Sequence, residues 1–278
     1  MATSEQTRAR GGKYVDAGGV HTYYEVTGTG EPLVLLHGGF CPAETWDAQT
    51  PALAENFQVY VPERRGHGRT PDVEGPITYE NMARDTIAFM EAVGVSSAHL
   101  VGWSDGANVG LLVALERPDL VRKLVFMGSV VNHEGYRREW DPALVDLSLE
   151  AMPPMFEQMY AAVSPDGPDH FGVIFDKLKS TWQAEPSMQL DELSRVAAPT
   201  LGPGRRRRRG DDRARRCDAA CPAGRPVGRG TGDVTRASDG EARDREPFDR
   251  RLPCPRTGGK DARVARRVAG AQSWPQAA

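Results

Sequence analysis

The stretch His99-Leu100-Val101-Gly102-Trp103-Ser104-Asp105-Gly106-Ala107-Asn108 decides how the rest of the chain is read. An apolar run leads into Gly102-x-Ser104-x-Gly106, and Val109, Leu112 and Val113 then recur at the spacing of one helix face. Strand, sharp turn and helix form the context in which a G-x-S-x-G pattern carries chemistry. Such a turn strains its central residue, and side chains two positions away would crowd it, so glycine on both flanks fits. The turn lifts the serine hydroxyl clear of the backbone at the carboxyl end of the strand. The new helix turns its first amides toward the same spot, which suits a developing oxyanion. Ser104 is therefore the candidate nucleophile, and the Asp105 amide a candidate oxyanion donor.

Working outward, Tyr14-Val15 and Val20 to Val26 alternate around Gly18-Gly19 and predict an antiparallel hairpin. Pro32 to Leu36 is a continuous apolar run ending in His37-Gly38-Gly39-Phe40, which predicts a buried parallel strand and a loop with exposed amides. Gly39 is the candidate for the other oxyanion donor, with Phe40 as its alternative, and His37 is expected to bond the loop. Thr45 to Asn56 reads as a helix, Phe57 to Pro62 as a strand, and Glu63 to Thr70 as a tight charged loop in which His67 serves loop shape. A helix over Tyr79 to Val93 carries Met82, Ile87, Met90 and Val93 near one face, and Gly94 ends it. Ser97 to Val101 is the strand feeding Ser104. The helix after Ser104 stops before Pro118, and Val121 to Met127 is a further buried strand. Alternation at this spacing predicts a doubly wound, mostly parallel α/β sheet. Ligands on such sheets bind beyond the carboxyl ends of the strands, where the His37, Arg65 and Ser104 loops all fall.

The formal net charge of −3 is unevenly spread, at −13 over residues 1–200 and +10 over residues 201–278. Cys41, Cys217, Cys221 and Cys254 give no disulfide framework, and no histidine cluster completes a metal site beside Cys217 and Cys221. The polar amino terminus lacks the apolar core of a signal peptide, and no apolar run approaches membrane-spanning length. A cytoplasmic protein with no cofactor, no metal and no membrane partner is expected. Residues 133–195 lose the strand pattern, and their Met- and aromatic-rich short helices predict a lid over the site. The domain reading is a disordered lead over 1–12, a core over 13–132 and a lid over 133–195. The next core strand starts at 196–201, and a tail runs over 202–278.

Leu35-Leu36-His37-Gly38-Gly39, Arg65-Gly66-His67-Gly68-Arg69-Thr70, Gly102-Trp103-Ser104-Asp105-Gly106, Glu116-Arg117-Pro118 and Ala198-Pro199-Thr200-Leu201 together resemble the α/β-hydrolase fold family in order and spacing. The resemblance covers roughly residues 13–201. It implies acyl transfer by a Ser–Asp/Glu–His triad on a small-molecule carboxylic ester. The Gly-Trp-Ser-Asp-Gly form resembles the valacyclovir hydrolase-like branch, where the acid after the nucleophile holds the amine of amino-acid esters. By that resemblance Asp105 is also a candidate substrate-binding residue, together with Phe40 and Trp103. Glu63 stands where the family usually has Asp, a change the loop should tolerate.

The resemblance fails toward the carboxyl end. In this fold the acid and base follow the serine in chain order. The histidines are His21, His37, His67, His99, His133 and His170, and none sits where the family places its base. His133 and His170 follow Ser104 but fall in or beside the lid. From Gly202 onward Gly, Pro and Arg dominate, with Arg205 to Arg209 consecutive and neither Ile nor Met present. Such a segment cannot bury enough apolar surface to offset its ordering entropy. A reading-frame shift in GC-rich coding DNA accounts for this composition. Gly-Pro-Gly followed by five Arg can be encoded so that a one-base shift yields Val-Leu-Ala-Gly-Asp-Asp-Asp-Val, a strand with the family's acid turn. Gly232 to Thr235 shifts to Gly-Thr-Ser-His, and Glu241 to Arg250 shifts to a credible final helix. On this reading the chain lacks its last core strands, its acid and its base. Two alternatives stay open: a non-catalytic small-molecule binder on the same fold, and a nucleic-acid binder acting through the Arg-rich tail. Oligomeric state is left open.

Overall fold

The structure, a computed structural model, describes residues 11–132 and 147–202. Its strands are β1 (Lys13–Ala17), β2 (Val20–Thr27), β3 (Glu31–Leu36), β4 (Phe57–Pro62), β5 (Ala98–Trp103), β6 (Val121–Met127) and β7 (Thr200–Leu201). They form one sheet in the order β1-β2-β4-β3-β5-β6-β7. The β1–β2 and β2–β4 pairs are antiparallel, and every pair from β4 to β7 is parallel. This is the doubly wound, mostly parallel arrangement expected from the alternation. Strand β7 follows the helical segment and pairs with β6 through Leu124–Thr200 and Val125–Leu201. The tail from residue 203, residues 1–10 of the expected lead, and His133 lie outside the described residues.

The central strands are buried on both faces, and their period of two divides the core. Val34, Leu36 and Leu100 face a cluster that includes Met82, Phe89 and Leu111 from the helices that follow β4 and β5. Leu33, Leu35 and Val101 face the opposite side, against Trp46 and Leu53. Each such aliphatic side chain contributes roughly 1.5–3 kcal/mol on burial. The expected helix over Thr45 to Asn56 is instead a 3-10 turn, Ala43–Trp46, and a short helix α1, Thr50–Ala54. Pro51 explains the break. Inside a continuous helix it would remove a backbone bond and clash with the preceding turn, so it opens a new helix instead. Helix α2 (Tyr79–Ala92) starts at Thr78, whose side chain accepts the Asn81 amide at 3.0 Å.

Helix α3 (Asp105–Glu116) leaves β5 through the Ser104 turn. Two contacts make glycine obligatory there. A methyl group on Gly106 would lie 2.1 Å from the Leu36 carbonyl oxygen, and one on Gly102 would lie 2.2 Å from the Gly106 carbonyl oxygen. After β6, helices α4 (Pro154–Val163), α5 (Phe171–Ala184) and α6 (Leu190–Leu193) follow in the expected helical segment. This segment is fastened to the loops before α2. His170 and Lys177 hold the Asp72 carboxylate at 3.0 and 2.7 Å, the Thr181 hydroxyl donates to the Ile77 carbonyl, and the Tyr79 amide donates to Glu185 at 2.8 Å.

Gly106→Ala is expected to lower the unfolding free energy by about 1–3 kcal/mol or more, because backbone at Leu36 must move to admit the methyl group. Urea titration of the two proteins checks this. An unchanged midpoint would mean that α3 does not press on β3 as described.

Candidate active site

Ser104 has φ 54° and ψ −123°, a conformation that L residues seldom hold. It occupies the N-cap position of α3, yet its hydroxyl caps no backbone amide of the helix. A serine there ordinarily accepts an N–H of the first turn. Here the turn directs it elsewhere, and among the described residues the hydroxyl has no hydrogen-bond partner. The Ser104 amide donates to the Met127 carbonyl of β6 at 2.9 Å. The next amide is that of Asp105, the first helical residue, which has no intrahelical acceptor.

The Gly38–Gly39 backbone runs beside this turn. A methyl on Gly38 would lie 3.3 Å from the Ser104 Cβ, and one on Gly39 would lie 2.7 Å from an Asp105 carboxylate oxygen. The loop and the helix start thus pass close together at Ser104, and a side chain at either glycine would collide with Trp103, Asp105 or Trp182. Phe40 follows with φ 59° and is buried. Its ring packs against Phe156, Phe171, Phe175 and Trp182 of the helical segment, with centroids 5.3–6.2 Å apart. Trp103, at the end of β5, is half-buried against Gly38 and Gly128. Ser104, Gly39, Asp105, Phe40 and Trp103 are therefore neighbours.

The Asp105 carboxylate is buried. One oxygen accepts the Tyr79 hydroxyl at 2.7 Å and the Trp182 indole N–H at 3.0 Å, and the other lies 3.1 Å from the same indole nitrogen. Burial raises its pKa, against the pull of Arg64, Tyr79 and Trp182. The amine-holding role expected of Asp105 thus meets a carboxylate already engaged by two side chains. Neither partner stands out in the sequence: Tyr79 is there only the first residue of a helix, and Trp182 carries no signal of its own.

The described histidines are held on other partners. His37 donates from Nδ1 to the Gly38 carbonyl at 2.7 Å and accepts the Arg64 amide on Nε2 at 3.1 Å, bonding the loop as expected. The Arg64 side chain also donates to the Gly38 carbonyl at 3.2 Å. His67 donates from Nδ1 to the Arg65 carbonyl at 2.8 Å and sits wholly inside the protein. Burial drives the His37 pKa well down and the His67 pKa to about 3, so both are neutral. His21 meets Asp16, His99 meets Glu31, and His170 meets Asp72. None of them bonds Ser104. Glu63, the departure from the family's Asp, is fully buried and accepts the Ala43 amide, the Arg69 amide and the Arg69 guanidinium. Among the described residues no group of three His, Cys, Asp or Glu side chains could hold a metal ion, and no helix is long and apolar enough to cross a membrane.

A family pattern described as the alpha/beta hydrolase fold matches residues 31–199. The chain is 34% identical over 125 residues to RutD of Azorhizobium caulinodans, named as a carbamate hydrolase, covering 45% of this chain and 47% of that protein. It is 37% identical over 123 residues to the 2-hydroxy-6-oxo-6-(2'-aminophenyl)hexa-2,4-dienoic acid hydrolase of Metapseudomonas resinovorans, covering 42% of each. The chain thus spans about half the length of the curated relatives it matches. Among solved structures, the meta-cleavage product hydrolase CumD of Pseudomonas fluorescens IP01 superposes with a TM-score of 0.55 at 24% identity, over 69% of this chain and 78% of that one.

The buried neutral histidines fix a sign for acid stability. The unfolded chain binds a proton on each histidine below about pH 6.5, while the folded chain resists it. The stability that His67 contributes is complete above that pH and is lost as pH falls toward about 3. His67→Asn keeps a donor for the Arg65 carbonyl and cannot titrate. The unfolding free-energy advantage of the wild type over this variant is expected to shrink by about 1.4 kcal/mol per pH unit between pH 6 and pH 4. Denaturant titrations at several pH values measure it, and a constant difference would show that His67 is not held neutral.

Proposed function

Since the chain belongs to the alpha/beta hydrolase fold family, we propose that it descends from serine hydrolases of small carboxylic esters and that Ser104 is its nucleophile. The reading rests on one observation. Ser104 is held at φ 54° between a strand and a helix, with its hydroxyl withheld from the helix cap. Strain of this kind persists only where surrounding structure enforces it, and it concentrates at working sites. Ser104 Oγ attacks the ester carbonyl carbon, and the carbonyl electrons move onto oxygen, where the Gly39 and Asp105 amides stabilise the charge. The ester C–O bond breaks, and the alkoxide leaves as the alcohol with the proton lost by the Ser104 hydroxyl. Water then cleaves the acyl-serine bond, releasing the acid and returning a proton to Ser104 Oγ. Two of the relatives carry names of hydrolases acting on other bonds, a carbamate and a carbon-chain dienoic acid, so the ester is the finer part of the proposal. The amino-ester refinement draws no support from the geometry, because the Asp105 carboxylate already holds Tyr79 and Trp182.

The general base is lacking among the described residues, and we propose that a one-base frame shift near codon 202 removed it. The family match ends at residue 199, three residues before the composition turns to Gly, Pro and Arg. Without a base, an oxyanion site and a bound substrate alone support a rate roughly 10³–10⁴-fold over water.

A fluorophosphonate probe on the purified, folded chain is expected to label Ser104, with the label lost in Ser104→Ala. Folded protein that takes no label would overturn the nucleophile and favour a non-catalytic binder. Resequencing codons 195–240 of the source DNA tests the frame. A one-base difference is expected, and shifting the frame should raise ester turnover at least a hundredfold. An unaltered sequence would withdraw the frame reading and leave a hydrolase fold without its triad.

A further inference from the structure

Trp182 stands on helix α5, 78 residues after Ser104, yet it touches both candidate oxyanion elements. Its indole N–H reaches both oxygens of the Asp105 carboxylate, at 3.0 and 3.1 Å, across a separation of 77 residues. Its ring edge fills the space beside the other element, since a methyl on Gly39 would lie 2.8 Å from Trp182 Cζ2. The same ring stands at 87° to Phe40 with centroids 5.4 Å apart. Phe40 is itself held at φ 59° and caged by Phe156, Phe171 and Phe175. A buried carboxylate is costly to leave without its donors, so the indole contact is strongly favoured whenever the helical segment is seated. Withdrawing α5 would strip Asp105 of one donor, uncover Phe40 and remove the wall behind Gly39.

We propose that Trp182 is a positioning residue, latching helix α5 to the Asp105 carboxylate so that the Gly39 and Asp105 amides take up their places beside Ser104 only with the helical segment seated. The latch stands on geometry alone, while its consequence for chemistry rests on the proposed nucleophile. Tyr79, from α2, donates at 2.7 Å to the carboxylate oxygen that the indole reaches at 3.0 Å, so Asp105 joins three elements: helix α3 after Ser104, helix α2 packed on the sheet and the covering helix α5. Substrate entry and assembly of the oxyanion corner are then one movement, because a covering segment that opens also loosens the corner.

The test uses the full chain with Trp182→Phe, which keeps a ring against Phe40 and removes the indole N–H. Asp105→Asn, which keeps the shape and removes the charge, is the second variant. Hydrogen exchange read by mass spectrometry is expected to quicken at least fivefold in residues 171–184 and, together with it, in residues 37–41. The second-order rate of fluorophosphonate labelling at Ser104 is expected to fall at least fivefold. Exchange that quickens in 171–184 while 37–41 stays unchanged would overturn the latch, as would no change in either segment. Coupled exchange with an unaltered labelling rate would overturn the positioning role. Coupled exchange in a protein whose wild type takes no label would leave the latch standing and overturn the nucleophile, so the two readings fail separately.

Discussion

The structure depends on how closely helix α3 lies on the sheet. Gly106 rests on the Leu36 carbonyl and Gly102 on the Gly106 backbone, at distances no Cβ could share. That closeness bends the chain sharply enough to force Ser104 into a positive φ. It also sets the start of α3 beside the end of β3, where the His37–Phe40 loop begins. The corner proposed to hold the oxyanion is thus a consequence of helix-on-sheet packing. Two glycines remove the steric obstacle, and the buried aliphatic strands supply the force that holds helix and sheet together.

Beneath this corner lies a layer of buried polar groups. Arg64, fully buried, donates to the Gly38 carbonyl, and its amide donates to His37. Burial lowers its pKa to about 10 while Asp105 pulls it back up, so the cation and the carboxylate sustain each other across the site floor. Glu63 and Arg69 do the same one loop away, with Gly68 at φ 57° passing so close to the Glu63 carboxyl that a side chain there would collide. Low-dielectric surroundings make each of these contacts strong and make each lost partner costly. Histidines in such a layer stay neutral and act as fixed struts for the loop backbone. His37 and His67 are therefore structural by environment, in keeping with their places in glycine-rich loops.

Much of this was legible in residue order. The strand runs, the hairpin at Gly18-Gly19, the turn at Ser104 and the stop before Pro118 follow from period, turn chemistry and helix termination. All of them are local properties. The apolar residues from Thr45 to Asn56 keep the spacing of one helix, but Pro51 outranks that spacing and divides the region. The site was legible only in part. Ser104 and Gly39 carry local signals, a strained turn and a glycine-rich strand end. Phe40 and Asp105 signalled proximity to substrate, whereas Phe40 sits caged under two helices, α4 and α5, and the Asp105 carboxylate faces Tyr79 and Trp182.

The sequence alone determined the family, the alternation of strands and helices that builds the parallel core, and the glycine-flanked turn on which the proposed nucleophile Ser104 stands. Each of these is written in short-range patterns, where the chemistry of a few adjacent residues leaves one conformation. It also exposed the change of character at Gly202, since composition needs no coordinates to be read. Tertiary structure decided which groups share the buried floor. The partners of Asp105 come from residues 26 and 77 positions away, and those of His37 from 27. No local pattern records such pairings, because they arise only when separate elements exclude water from the same small volume and each polar group must find its donor or acceptor there.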